Sequence, residues 1–263
     1  MNNITKDRLL RELDKLSLNE AQPRVFVFDE LGSTNQWLLD HLNDKELKVC
    51  VANSQIAGRG REGRSWVSPD GNIYMSFNYC IGSEISDFSA ISLVMGVVLI
   101  RVLRSVGVND VNVKWPNDIL LDDSKLAGIL IETKKANKNT HLVIGIGLNV
   151  QMIDECRELR DSKWSDLSAH GLGLKDRERV IALILVESKK TLQQFFNEGF
   201  GVFREEWMKS DVYAGMDVNI LDRGKVILSG VESGVDRNGM LQVLSGSKLI
   251  KVHSGDVSLR IKS

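Results

Sequence analysis

Apolar positions Leu9, Leu10, Leu13 and Leu16 recur at helical spacing, which predicts one short amphipathic helix closed by Pro23. Arg24 to Asp29 is rich in β-branched and aromatic residues and predicts a strand. Ser33 or Thr34 then caps a predicted helix carrying Trp37, Leu38 and Leu42. Strands are predicted at Lys48–Ala52, Asn72–Cys80, Val111–Lys114, Ile119–Asp122, Leu126–Thr133 and His141–Val150. Between the first two of these, Asn53 to Gly71 is dense in Gly, Arg and Ser and reads as a long loop. Ser86 to Val106 reads as a buried helix. Gln151 to His170 mixes charges without periodicity and reads as a mobile connection. Asp176 to Lys209 reads as one long or broken helix.

The pattern changes near Ser210. Short strands follow, divided by the turn sequences Asp222-Arg223-Gly224, Asn238-Gly239 and Ser245-Gly246. A domain boundary is therefore expected there. A short helical extension (1–23) precedes an α+β domain (24–210), and a small β domain (211–263) closes the chain.

Composition narrows the function classes. With 263 residues, 43% hydrophobic and 26% charged, the chain is ordinary globular protein. A formal net charge of −1 lacks the basic excess of a dedicated nucleic-acid binder. Cys50, Cys80 and Cys156 form no CxxC pair, which argues against a zinc site or a disulfide framework and fits a reducing cytoplasm. The start MNNITKDRLL has no apolar core of a signal peptide, and no segment is apolar enough to span a bilayer.

Five segments carry candidate chemistry. In Gly58-Arg59-Gly60-Arg61-Glu62-Gly63-Arg64, glycines allow close approach of the backbone and three guanidiniums can clamp carboxylate and phosphate oxygens; a solvated basic loop is the plainer reading. Lys114-Trp115-Pro116-Asn117-Asp118 offers a carboxylate at a turn, where Pro-Asn-Asp is also simply good turn chemistry. Lys125 opens an apolar strand beside small residues as far as Glu132. Gly145-Ile146-Gly147-Leu148-Asn149 lacks the third glycine and helix start of a dinucleotide fingerprint, and reads as a strand with room for a ligand. Ser33-Thr34-Asn35 can hydrogen-bond a polar ring or merely cap a helix. No GxxxxGK[ST] sequence is present, which excludes a P-loop.

Taken in order and spacing, these segments resemble the biotin–protein ligase family. The carriers are Ser33–Asn35, Gln55–Trp66, Lys114–Asp118, Lys125–Leu130 and Gly145–Asn149, and the resemblance runs from about Val25 to the C-terminus. It implies a class II synthetase-like catalytic domain of the biotin–lipoyl ligase kind, α+β with a mixed sheet, and a small C-terminal SH3-like β-barrel. It implies a form without an N-terminal DNA-binding domain, since Met1 to Pro23 has space for one helix; no DNA or membrane partner is expected.

By the same resemblance, Ser33, Thr34 and Gln55 bind the ureido head of biotin, with backbone at Arg59, and Asn35 is a further biotin-binding residue. Arg59, Gly60 and Arg61 belong to a loop that folds over biotin and its adenylate, and Trp66 packs near the biotin ring. Lys125 contacts the biotin carboxylate and the reacting phosphate, while Gly128, Gly145 and Gly147 line the pocket. Arg61, Arg64, Lys114, Asn117 and Asn149 serve ATP or the adenylate, and Trp164 packs against adenine. Asp118 positions Mg2+, directly or through water. Arg61, Lys125 and Asp118 are the expected catalytic residues, ATP and Mg2+ the cofactors, and biotin the substrate. A biotin carboxyl carrier protein is the expected acceptor, through a lysine. A lipoate or octanoate ligase of the same fold and a non-catalytic biotin sensor are the alternatives. A homodimer through a sheet edge and a monomer both fit.

Overall fold

The computed structural model describes residues 3–16, 22–42, 46–81, 88, 90–136, 139–152, 164–255 and 257–262. Cys156 and most of the expected mobile connection lie outside these residues, as does the first part of the helix predicted from Ser86.

Seven strands form the larger sheet: β1 (Arg24–Leu31), β2 (Lys48–Gln55), β3 (Ile73–Ile81), β4 (Val111–Lys114), β5 (Asp118–Leu121), β6 (Ser124–Ala136) and β7 (Asn139–Leu148). Their order is β1-β2-β3-β7-β6-β5-β4. β1 and β2 run parallel and every other neighbouring pair is antiparallel, so the sheet is mixed. The alternation of side chains across a strand assigns its two faces. Val49 and Val51 join the main core, whereas Cys50 between them joins a second cluster with Leu38, Leu42 and Val143.

The main core lies under α3 (Ile91–Ser105) and α4 (Arg177–Glu198). α3 buries residues all round its circumference, as its near-continuous apolar sequence requires. α1 (Lys6–Leu16) packs on α4 with Leu9 and Leu13, four residues apart, both buried in that core. Its entry is fixed by Asn53, whose Oδ1 accepts from Ile4 N (2.8 Å) and whose Nδ2 donates to Ile4 O (3.3 Å). α2 (Thr34–His41) covers the opposite face, capped at Ser33.

The predicted helix from Asp176 to Lys209 is broken. Gly199 adopts φ +78°, ψ 179°, a conformation no helix contains, and α5 (Arg204–Lys209) begins afresh beyond a 3-10 turn. β8 (Asp217–Asp222), β9 (Lys225–Val235), β10 (Leu241–Ser245), β11 (Lys248–Val252) and β12 (Val257–Ile261) then form a wholly antiparallel sheet, ordered β11-β10-β9-β8-β12. Arg223 and Gly224 both have positive φ, as a two-residue hairpin turn demands. Asn238-Gly239 is not such a turn. It sits in the connection from Asp236 to Met240, where the Asp236 carboxylate accepts from both Asn238 N and Met240 N.

The two sheets share one core, to which the smaller contributes Val218, Ile220, Val235, Leu241, Val243 and Leu259. The linker seats itself on β4: Val113 N donates to Ser210 O (2.8 Å) and Val212 N to Val113 O (3.0 Å). The Trp115 indole, fully buried, donates across to Gly239 O at 3.2 Å. At the same seam, burial raises the carboxyl pKa of both Asp211 and Glu232, and the Glu232 charge raises Asp211 further.

Candidate functional site

Gly145 and Gly147 follow Val143 on the face of β7 that α2 covers, and Gly128, Leu130 and Glu132 lie beside them on β6. Here the sheet faces the first turn of α2 with three glycines. A cavity of about 400 Å³ opens over it, walled by α2, the loop after β2, the β4–β5 turn and β12 of the smaller sheet. The glycines are needed for contacts within the protein. A Cβ on Gly145 would stand 2.2 Å from Asn35 Oδ1, and one on Gly147 would stand 2.6 Å from the Trp66 indole. Asn35 and Trp66 rest against these glycines, and all four residues line the cavity.

One end of the cavity is a chain of neutral hydrogen bonds that ends on an ion pair. Gln55 Oε1 accepts from Thr34 N (2.9 Å) and lies 3.2 Å from Thr34 Oγ1, while Gln55 Nε2 donates to Ser68 Oγ at 3.0 Å. Ser76 Oγ lies 2.7 Å from Thr34 Oγ1 and 2.6 Å from Asn35 Oδ1. Asn35 Nδ2 donates to Glu132 Oε2 at 2.8 Å, and Arg59 Nη2 meets the same oxygen at 2.8 Å.

The other end carries charge. Lys125 Nζ pairs with Asp118 Oδ1 at 2.6 Å and stands 5.0 Å from the centre of a Trp66 ring. Arg61 Nη1 donates to Asn117 Oδ1 (3.3 Å), and its Nη2 donates to the carbonyls of Ser254 and Gly255, between β11 and β12. Arg64 donates to Arg61 O and meets Glu62 at 3.5 Å. Lys114 Nζ lies 5.4 Å from the Tyr213 ring. Burial pulls the Lys114 ammonium down to about 8; Arg260, Lys125 and Arg64 push the same way and Asp118 opposes them. Arg59, Arg61, Arg64, Lys114, Lys125 and Arg260 face the cavity against only two carboxylates in its lining, Asp118 and Asp123. A protein of net charge −1 has thus gathered positive charge in one place.

The structure brings together Ser33, Thr34, Asn35, Gln55, Arg59, Gly60, Arg61, Arg64, Trp66, Lys114, Asn117, Asp118, Lys125, Gly128, Gly145 and Gly147. Two of the expected residues lie outside the cavity lining. Asn149 is not on the wall: it is buried, and its Nδ2 donates to Lys125 O (3.2 Å) and Ser165 O (3.0 Å), so it fixes backbone around Lys125. Trp164 also lies off the wall, its ring 5.9 Å from that of Trp66 and its backbone bridged to Lys125. In the loop, positive φ falls on Glu62 (57°) and Gly63 (70°), not on Gly58 or Gly60. Gly58 is required for a different reason, since a Cβ there would lie 2.4 Å from Trp66 O.

The sequence reading missed Ser76, Tyr213, Arg260 and any role for Glu132. Ser76 carries the one available signal, a small hydroxyl amid the apolar run Ile73-Tyr74-Met75-Ser76-Phe77. Among the described residues no three His, Cys, Asp or Glu side chains cluster as a metal site.

Residues 27–149 match the Biotin/lipoate A/B protein ligase family, and residues 215–260 match the biotin protein ligase C terminal domain. Over 239 residues the chain is 36% identical to the bifunctional ligase/repressor BirA of Escherichia coli, covering 90% of this chain and 74% of that protein. It is 28% identical to the biotin–[acetyl-CoA-carboxylase] ligase of Mycobacterium tuberculosis, covering 96% of this chain and 97% of that one. The fold superposes on a biotin protein ligase from Aquifex aeolicus in complex with biotin and ATP, with a TM-score of 0.77 and 26% identity, over 91% of this chain and 99% of that one.

Proposed function

The chain belongs to the biotin protein ligase family, and on that premise we propose that it joins biotin to ATP as biotinyl-5′-AMP and passes the biotinyl group to a lysine of a carrier protein. The observation that carries the reading is the division of a single cavity into a neutral hydrogen-bonding end and a cation-rich end.

A carboxylate and a triphosphate repel each other, so they meet only where cations neutralise both. Lys125 and Arg61 do this, and Lys114, Arg64 and Arg260 extend the positive field along the phosphates. A biotin carboxylate oxygen attacks the α-phosphorus and pyrophosphate leaves. Lys125 exchanges Asp118 for the anions as they arrive, and Arg61 exchanges the carbonyls of Ser254 and Gly255. Holding the reactants in line contributes at best about 7–11 kcal/mol. The head of biotin is read by Thr34 and Asn35, on the helix that Ser33 caps, and by Gln55 at the end of β2. In the second step the acceptor amine attacks the acyl carbon and AMP leaves. No enzyme nucleophile is required.

The donor set fits a magnesium ion that arrives with the triphosphate rather than a resident one. Asp118 offers one carboxylate, and phosphate and water complete such an ion's preferred shell. When bound it supplies charge neutralisation at the leaving pyrophosphate.

Isotope exchange between pyrophosphate and ATP tests the reading. It is expected to depend on biotin and to be absent with lipoate. Exchange driven by lipoate, or by neither acid, overturns it. The match of residues 215–260 to the C-terminal domain of biotin protein ligases supports biotin over lipoate.

A further inference from the structure

The loop from Gln55 to Ser68 is a small hairpin. Gln55 bridges Ser68 at its base and Arg59 bridges Ser65 nearer its tip. Trp66 N donates to Gly58 O (2.9 Å) and Gly60 N to Arg64 O (2.7 Å). Two guanidiniums fasten this hairpin to the rest of the molecule, and they differ in what the reaction asks of them. Arg61 is held by Asn117 and by the carbonyls of Ser254 and Gly255 at the charged end, and it must change partners when phosphates arrive. Arg59 is held by Glu132, on β6 beside the neutral end, and the reaction requires no change there.

Glu132 itself is well fixed. The oxygen that meets Arg59 also accepts from Asn35 Nδ2 at 2.8 Å. Asn35 is 3% exposed, its Oδ1 lies 2.6 Å from Ser76 Oγ, and it rests against Gly145, where no side chain fits. The orientation of Asn35 is thus set from three sides, and the carboxylate it holds faces the loop.

We propose that Glu132 is a positioning residue that keeps the glycine–arginine hairpin shut over the adenylate by holding Arg59 while Arg61 works on the phosphates. This rests on the reading above, because it assumes a reactive intermediate to retain. A mixed anhydride is lost to water or to any nucleophile once its cover opens. The pair therefore sets how much intermediate reaches the acceptor.

The experiment loads the full-length protein with labelled biotin and ATP without acceptor, removes free reagents, and follows loss of the adenylate in buffer and in hydroxylamine. Glu132→Ala and Arg59→Ala are each expected to speed that loss by about tenfold, equivalent to about 1.4 kcal/mol. The double variant is expected to lose it no faster than either single one, because both remove the same contact. Glu132→Gln retains an oxygen for the Asn35 amide but not the charge facing Arg59, and is expected to leak several-fold faster than wild type. Melting temperatures identify any variant that fails to fold, and Glu132→Gln then carries the test. Loss at the wild-type rate in Glu132→Gln, or single effects that multiply in the double variant, overturns the proposal. A wild-type protein that forms no biotinyl adenylate overturns the proposed function; one that forms and holds it, beside variants that hold it equally well, overturns only the role of Glu132.

Discussion

The two ends of the cavity solve opposite problems. At the neutral end, Thr34, Gln55, Ser68, Ser76 and Asn35 bond to one another, so the groups that read a ligand are already oriented before one binds. Neutral donors and acceptors can be completed within the protein because burying a polar group costs little once it has a partner. At the charged end completion would defeat the purpose. Enough carboxylates to balance Arg61, Arg64, Lys114, Lys125 and Arg260 would repel the anions those residues serve. The protein leaves that end short of counter-charge, with Asp118 and Asp123 the two carboxylates in the cavity lining. Preorganisation by hydrogen bonds and preorganisation by excess charge thus coexist in one cavity.

Substitutions at each end should separate the two. The largest effect is expected from Lys125→Ala. It removes the cation paired with Asp118 and leaves that carboxylate facing the incoming anions, so biotin-dependent pyrophosphate exchange should fall by roughly a hundredfold or more. Circular dichroism should show the fold retained. A near-wild-type exchange rate would remove Lys125 from the chemistry. A smaller effect, of another kind, is expected from Gly145→Ala. Its methyl group displaces Asn35, so biotin KM should rise about tenfold with stability lowered by about 1–3 kcal/mol, the usual cost of overpacking. If kcat fell and KM held, the neutral end would be acting on chemistry rather than on recognition.

The smallest effect concerns protons. Lys114 titrates near 8, below its ordinary range, so the free protein holds it increasingly neutral as pH rises through that value. A bound triphosphate favours the charged form, so binding should take up a fraction of a proton at pH 8–9. Below about pH 7 the group is already charged and uptake should vanish. Calorimetry of ATP-analogue binding in buffers of different ionisation enthalpy measures this, and Lys114→Met should abolish it. Proton release at pH 8–9 would mean that another group dominates the charged end.

Much of this was legible in the sequence, for reasons that differ by residue. Strand alternation and glycine placement marked the sheet, and the loop arginines, Lys125 and Asp118 stood in segments whose order gave them away. Glu132 was visible only as the end of an apolar strand, because its meaning comes from Asn35 and Arg59, 97 and 73 residues away. Tyr213 and Arg260 were hidden similarly, since nothing local says that β12 closes a cavity built by another sheet. Asn149 was legible only through the resemblance of its segment, and its bonds to the backbone of Lys125 and Ser165 follow from no linear pattern.

The grip of Ser254 and Gly255 on Arg61 has a practical corollary. Residues 27–149 and 215–260 are recognisable as separate modules, yet the second supplies a buttress for the arginine loop of the first. A cut in the linker near Ser210 therefore falls between two sequence families but through the middle of one working part. The halves of such a split chain are expected to work only when brought back into register.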